Sequence, residues 1–138
     1  MKSQIYLDLI EKAKAARKLA YAPYSGYKVG SALLLSDGAV FVGANIENSA
    51  YSETVCAERV AFFNAISSGK RDGFRAIAIL GGKDEYVDSF AAPCGACRQV
   101  MSEFCKEDFE IILFNGKDVR VFKLSELLPL NFNSENLK

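Results

Sequence analysis

The chain has 138 residues, half of them hydrophobic and a quarter charged, with 17 basic side chains against 17 acidic ones. That length and balance predict one soluble globular domain over 1–138 with a proper buried core. They exclude the basic excess of a nucleic-acid or anionic-membrane binder, and apolar runs such as Ala32–Leu35 are far too short to span a bilayer. Charges are spread through "MKSQIYLDLIEKAKAARK" with no apolar signal-peptide core, so a cytoplasmic location is expected.

In chain order, Ile5, Leu9, Lys12–Ala16 and Leu19 follow a helical stripe and predict a first helix from Gln4 to Ala20. It ends before the turn-rich "YAPYSGYKVG". Val29–Leu35 and Val40–Asn45 read as strands joined through Asp37-Gly38, a hairpin signal. "TVCAERVAFFNAISSG", residues 54–69, predicts a second helix with its apolar face at Val60, Phe63 and Ile66. The short apolar run Ala76–Gly81 suits a strand buried on both faces. Pro93 should open a third helix reaching Phe104, followed by strands Ile111–Phe114 and Val119–Lys123 and a short helix at Ser125–Leu128. The order predicts an α/β fold: a three-layer α-β-α sandwich built on one mixed five-stranded sheet flanked by helices.

There are four cysteines, at 56, 94, 97 and 105, and no histidine. In a reducing compartment metal binding or catalysis is a better default for them than disulfides. Without imidazole, a metal site must use thiolates and carboxylates, and a proton shuttle must be something else. Both the second and third helices begin with cysteine. If those helices follow neighbouring parallel strands, Cys56, Cys94 and Cys97 meet at one sheet edge, each thiolate favoured by a positive helix end at roughly 0.3–1 kcal/mol. Cys105 lies about 16 Å below Cys94 at 1.5 Å per residue, too far to join them, and reads as a small buried hydrophobe. Three protein ligands leave a coordination position open, as catalytic zinc requires. Glu58 is two residues beyond Cys56 and would reach the same point only past the helix's N-terminal end. There it would move protons. Arg59 could offset the net −1 charge of Zn2+ with three thiolates. Arg98 has no clear assignment.

Five ordered blocks, "YAPYSGYKVGSAL", "GANIENSAY", "VCAERVA", "PCGACRQ" and "LLPLNF", cover essentially the whole chain. In them the sequence resembles the cytidine deaminase family, in its small homotetrameric, three-cysteine branch. A zinc ion on three cysteines, with glutamate as general acid/base, is the known arrangement of zinc nucleobase deaminases. The resemblance implies hydrolytic deamination of cytidine and 2′-deoxycytidine to uridine and 2′-deoxyuridine with release of ammonia, a step of pyrimidine salvage. It implies one Zn2+ per subunit on Cys56, Cys94 and Cys97, with Glu58 as the proton shuttle. It places the Ala57 backbone N–H at the pyrimidine carbonyl and Asn45 and Glu47 at the ribose 3′-hydroxyl. Tyr27, where the family often has Phe, is expected against the base. Phe132 and Tyr51 are expected at subunit contacts, with Phe132 reaching a neighbouring subunit's site in a homotetramer of shared active sites. The partner is then a small nucleoside, with no nucleic acid and no membrane.

Four rivals stand beside this reading. Deaminases of nucleotides, DNA or RNA usually present His in place of Cys56, and acting on polynucleotides would favour a basic groove; neither is seen here. A blasticidin-type aminonucleoside-antibiotic deaminase also has "CAE" and Pro-Cys-Gly-x-Cys, although "NIEN" argues for a ribose reader. A thiol redox protein would use Cys94 and Cys97 and leave Cys56 and Glu58 idle. A zinc-stabilised binding module would take Glu58 as its fourth ligand and show no turnover.

Overall fold

The computed structural model describes residues 2–138. Its elements are α1 (Lys2–Arg17), β1 (Tyr27–Leu35), β2 (Val40–Ala44), α2 (Ala57–Ser67), β3 (Phe74–Lys83), α3 (Gly95–Phe104), β4 (Glu110–Phe114), β5 (Val119–Lys123) and α4 (Leu124–Leu127). Short 3-10 turns lie at Tyr51–Glu53 and Ser134–Leu137. The strands form one sheet in the order β2-β1-β3-β4-β5, in which only the β3–β4 pair is parallel.

Strand alternation divides the core into two layers, because successive side chains leave a strand on opposite faces. Leu33, Leu35, Ile77, Ile79, Ile111 and Leu113 face α2, α3 and α4, where they meet Phe62, Ala65, Met101 and Leu124. Ala32, Leu34, Ala76, Ala78, Leu80 and Ile112 face α1 and pack on Leu9, Ile10 and Ala13. β3 is therefore apolar along nearly its whole length. Helices cover both of its faces. This is the three-layer α/β arrangement expected from the order of elements.

Three local expectations need correction. α1 stops at Arg17, so Leu19 lies beyond the helix and is 77% exposed. The buried face of α2 is Ala57, Glu58, Ala61, Phe62 and Ala65, whereas Phe63, expected inside, is exposed. The alanines decide this, since they let the helix approach the sheet more closely than Val60 and Ile66 would allow. Finally, Pro93 does not open α3; Cys94 is the N-cap and the helix begins at Gly95.

Two glycines receive the helices. A Cβ at Gly30 would lie 2.0 Å from the Ala13 carbonyl oxygen of α1, and one at Gly43 would lie 2.3 Å from the Ala57 carbonyl oxygen of α2. Ser31 completes the second contact by donating its hydroxyl to that same Ala57 carbonyl at 2.9 Å. Gly43→Ala should therefore lift the first turn of α2 and destabilise the protein by about 2 kcal/mol, as overpacking does. Thermal unfolding should show Tm lower by roughly 5–10 °C. Gly95 faces open space, and Gly95→Ala should leave Tm essentially unchanged.

Candidate active site

β2 and β3 both run antiparallel to β1, so they point the same way and α2 and α3 start beyond the same sheet edge. The two strands are not neighbours, contrary to the expectation from sequence: β1 lies between them. Parallel direction suffices to bring the helix starts together, and adjacency is unnecessary.

Cys56 is the N-cap of α2 at φ −71, ψ 154, and Cys94 is the N-cap of α3 at φ −69, ψ 169. Neither side chain caps its helix. Their extended backbones free both sulfurs to point past the helix ends. Two residues within a regular helix would stand about 200° apart, but Cys56 is outside the helix and that separation from Glu58 does not apply. Cys97, in the first turn of α3, is 1% exposed and completes the group. The three sulfurs lie within 4.8 Å of one another, with Cys56–Cys94 at 3.7 Å and Cys94–Cys97 at 3.6 Å.

That spacing identifies the chemistry. A disulfide needs about 2.05 Å between sulfurs, and all four cysteines are free. Tetrahedral Zn–S bonds of about 2.3 Å put two sulfurs about 3.8 Å apart, so the Cys56–Cys94 and Cys94–Cys97 separations match edges of a zinc tetrahedron. Cys105, the C-cap at the far end of α3, is outside the group. Burial pushes its thiol well up, toward the neutral form.

The electrostatics suit an anionic sulfur cluster. The neighbouring Cys97 thiol chiefly, and then the Arg59 guanidinium, hold the Cys56 thiol well below the usual range, while the Cys56 sulfur and burial push the Cys97 thiol up. Arg59 Nη2 donates to Cys56 Sγ at 3.5 Å, while its buried Nε has no partner among the described residues. Arg98 holds the other helix: Nε donates to the Pro93 carbonyl at 2.8 Å and Nη1 to the Leu127 carbonyl at 2.7 Å. It ties the start of α3 to α4.

Glu58 is 4% exposed, and burial raises its carboxyl to about 7. It opens onto a cavity of about 320 Å3 shared with Cys56, Cys94, Ala57, Asn45, Glu47 and Tyr27. The volume is within the range of small-molecule sites. Asn45 sits just past β2, where its side chain extends the ladder: Oδ1 accepts from Val29 N at 2.9 Å and Nδ2 donates to the Tyr27 carbonyl at 2.8 Å. One amide hydrogen remains for a ligand. Glu47 accepts from the backbone amides of Tyr24 and Ser25 at 3.0 and 3.1 Å and from the Ser25 hydroxyl. The Ser25 hydroxyl chiefly, then those amides, hold its carboxyl below the usual range.

Two expected residues stand away from the cavity. Tyr51 is exposed and meets Tyr24 edge-on at 6.0 Å; Phe132 is exposed, with its carbonyl accepting from Gln99 Nε2 at 2.8 Å. Conversely, Ser25, Thr54 and Phe90 line the cavity without having been anticipated. Ser25 lies inside the first quoted motif and Thr54 directly before the third, which was a usable signal. Phe90 belongs to a loop with no motif, and nothing in its neighbourhood marks it.

An α/β sandwich that brings three thiols and a buried carboxyl to one sheet edge defines a hydrolase-type metal site. The family described as the cytidine and deoxycytidylate deaminase zinc-binding region matches residues 3–113. A cytidine deaminase of Sporosarcina psychrophila is 48% identical over 94% of this chain and 92% of its own length. A blasticidin-S deaminase of Bacillus cereus is 32% identical over 94% of each chain. The crystal structure of a cytidine deaminase from Burkholderia pseudomallei superposes with a TM-score of 0.85 at 51% identity, covering 91% of this chain and 98% of that one. The chain belongs to the cytidine and deoxycytidylate deaminase family.

Proposed function

We propose that this protein is a zinc-dependent cytidine deaminase, converting cytidine and 2′-deoxycytidine to uridine and 2′-deoxyuridine plus ammonia. The observation that carries the reading is a single cavity lined by Cys56 and Cys94 of the three-sulfur cluster, the buried Glu58 carboxyl and the Asn45–Glu47 pair. Cys56, Cys94 and Cys97 would hold one Zn2+ per chain. Bound zinc lowers the pKa of water toward neutrality and so supplies the nucleophile.

The side chains do the rest. Water oxygen bonds to C4 of the cytosine ring, and the C4–N4 bond breaks as ammonia leaves. Glu58 accepts one water proton and delivers it to ring N3, then takes the second proton from the new C4 hydroxyl, leaving C4=O, and passes it to the departing amine. The Ala57 backbone N–H meets the pyrimidine carbonyl at the start of α2. Glu47 and the remaining Asn45 amide hydrogen take the ribose 3′-hydroxyl, while Tyr27 flanks the base and Phe90 closes the wall beyond it. Arg59 offsets the surplus negative charge of the thiolates.

We also propose one catalytic domain over 1–138, acting in the cytoplasm as a homotetramer. No helix among the described residues is long and apolar enough to cross a membrane. Exposed Tyr51, Phe132, Val42, Ile46 and Phe63 support subunit contacts, and Phe132 would complete a neighbour's pocket.

The test is conversion by the purified protein, followed by the fall in cytidine absorbance and by its zinc content. Cytidine and deoxycytidine turnover with about one zinc per chain is expected. Turnover of blasticidin S alone would replace the substrate assignment, and bound zinc with no turnover of either would leave a structural metal module.

A further inference from the structure

Arg17 closes α1 and is 8% exposed, yet none of the ion pairs among the described residues involves it. Its partners are four carbonyl oxygens. Nε donates to Lys28 O at 2.8 Å, and Nη2 to Gly82 O, Asp84 O and Tyr86 O at 2.8, 2.6 and 3.1 Å. A buried charge is costly without compensation, and here backbone dipoles supply it.

The loop after β3 is coiled around this guanidinium. At Gly82 a Cβ would lie 1.7 Å from Tyr86 O, so only glycine admits the turn that brings these carbonyls together. Asp84 has φ 55, in the left-handed region, and its amide donates to Gly26 O at 2.8 Å. Both segments tied together lead directly into the cavity wall. Tyr27 precedes Lys28, and Phe90, Ala91 and Ala92 follow the loop. The two walls meet above Gly81, where a Cβ would lie 3.2 Å from both Tyr27 Cε1 and Ala91 Cβ.

We infer that Arg17 is a positioning residue that fixes the two walls of the nucleoside pocket, Tyr27 on one side and Phe90–Ala92 on the other, and thereby sets substrate affinity without touching substrate. The inference rests on the cytidine reading for its ligand and on the geometry alone for its structural part. None of Arg17's hydrogen bonds reaches a thiol or Glu58, which ride on the starts of α2 and α3. Its loss should weaken contacts made equally in ground and transition states, and that raises KM while sparing kcat.

Arg17→Lys and Arg17→Met test this from the helix side, and Gly82→Ala tests it from the loop side. In each, KM for cytidine should rise on the order of tenfold, with kcat within about twofold of wild type and zinc content unchanged. Hydrogen exchange should speed up at 24–28 and 83–91 and hold steady at 57–67 and 95–104. An unchanged KM, with kcat and Tm falling together, would show a merely structural anchor and overturn the inference. If Arg17→Met does not fold, Arg17→Lys decides, since it keeps the charge but cannot reach four carbonyls. If wild type does not turn over cytidine, the substrate reading has failed separately. The exchange data then decide the structural part, and unaltered exchange at 24–28 and 83–91 would sink it.

Discussion

Glu58→Gln should abolish deamination while leaving the protein folded and zinc-loaded. The expected loss in kcat is on the order of 10^3- to 10^4-fold, the upper part of the range for removing a general acid/base. The reaction needs one proton carried to N3 and another to the departing amine. The chain has no histidine to take over. The other carboxyl on the cavity, Glu47, already accepts three hydrogen bonds and is held below the usual carboxylate range. It is too weak a base and too far committed to serve. Glutamine keeps the volume and polarity of the side chain but cannot accept and return a proton. It also removes an ionisable group that is 4% exposed, so Tm should equal or exceed that of wild type. Full zinc content with more than about a tenth of wild-type activity would assign the proton transfer elsewhere.

Cys97→Ala should be the more disruptive change, because it removes zinc along with activity. Cys97 is 1% exposed and packs in the core beneath α2 and α3 as well as facing the other two sulfurs. With one thiolate gone, only two protein ligands would remain where catalytic zinc takes three. Zinc content should fall below about a tenth of an equivalent, turnover should vanish, and Tm should drop, since a ligand that binds only the folded state no longer contributes. Cys105→Ala is the control. That thiol sits at the opposite end of α3, half-buried and held neutral, and its loss should cost some stability but no zinc and no turnover. Equal zinc loss in both variants would mean that the cysteines act through folding and not as ligands.

Much of this protein was legible in its sequence because much of it is local. Hydrophobic period and turn chemistry placed every helix and strand to within a few residues, and the stretches around Cys56 and Cys94 marked two helix starts bearing thiols. The resemblance of five ordered motifs added the fold and the substrate class. Where the reading failed, a side chain's size against its neighbour decided the outcome. Phe63 has the hydrophobicity for the core, but Ala57 and Ala61 have the smallness that Gly43 requires. The motifs had already named Cys56, Cys94, Glu58, Ala57, Asn45, Glu47 and Tyr27 of the cavity wall, and tertiary structure alone added the rest. Phe90 reaches it from an unmarked loop, and Ser25 organises Glu47 from 22 positions away. Arg17 binds Tyr86 O across 69 positions. Such contacts depend on where the chain returns in space, and no period or spacing along the sequence encodes that return.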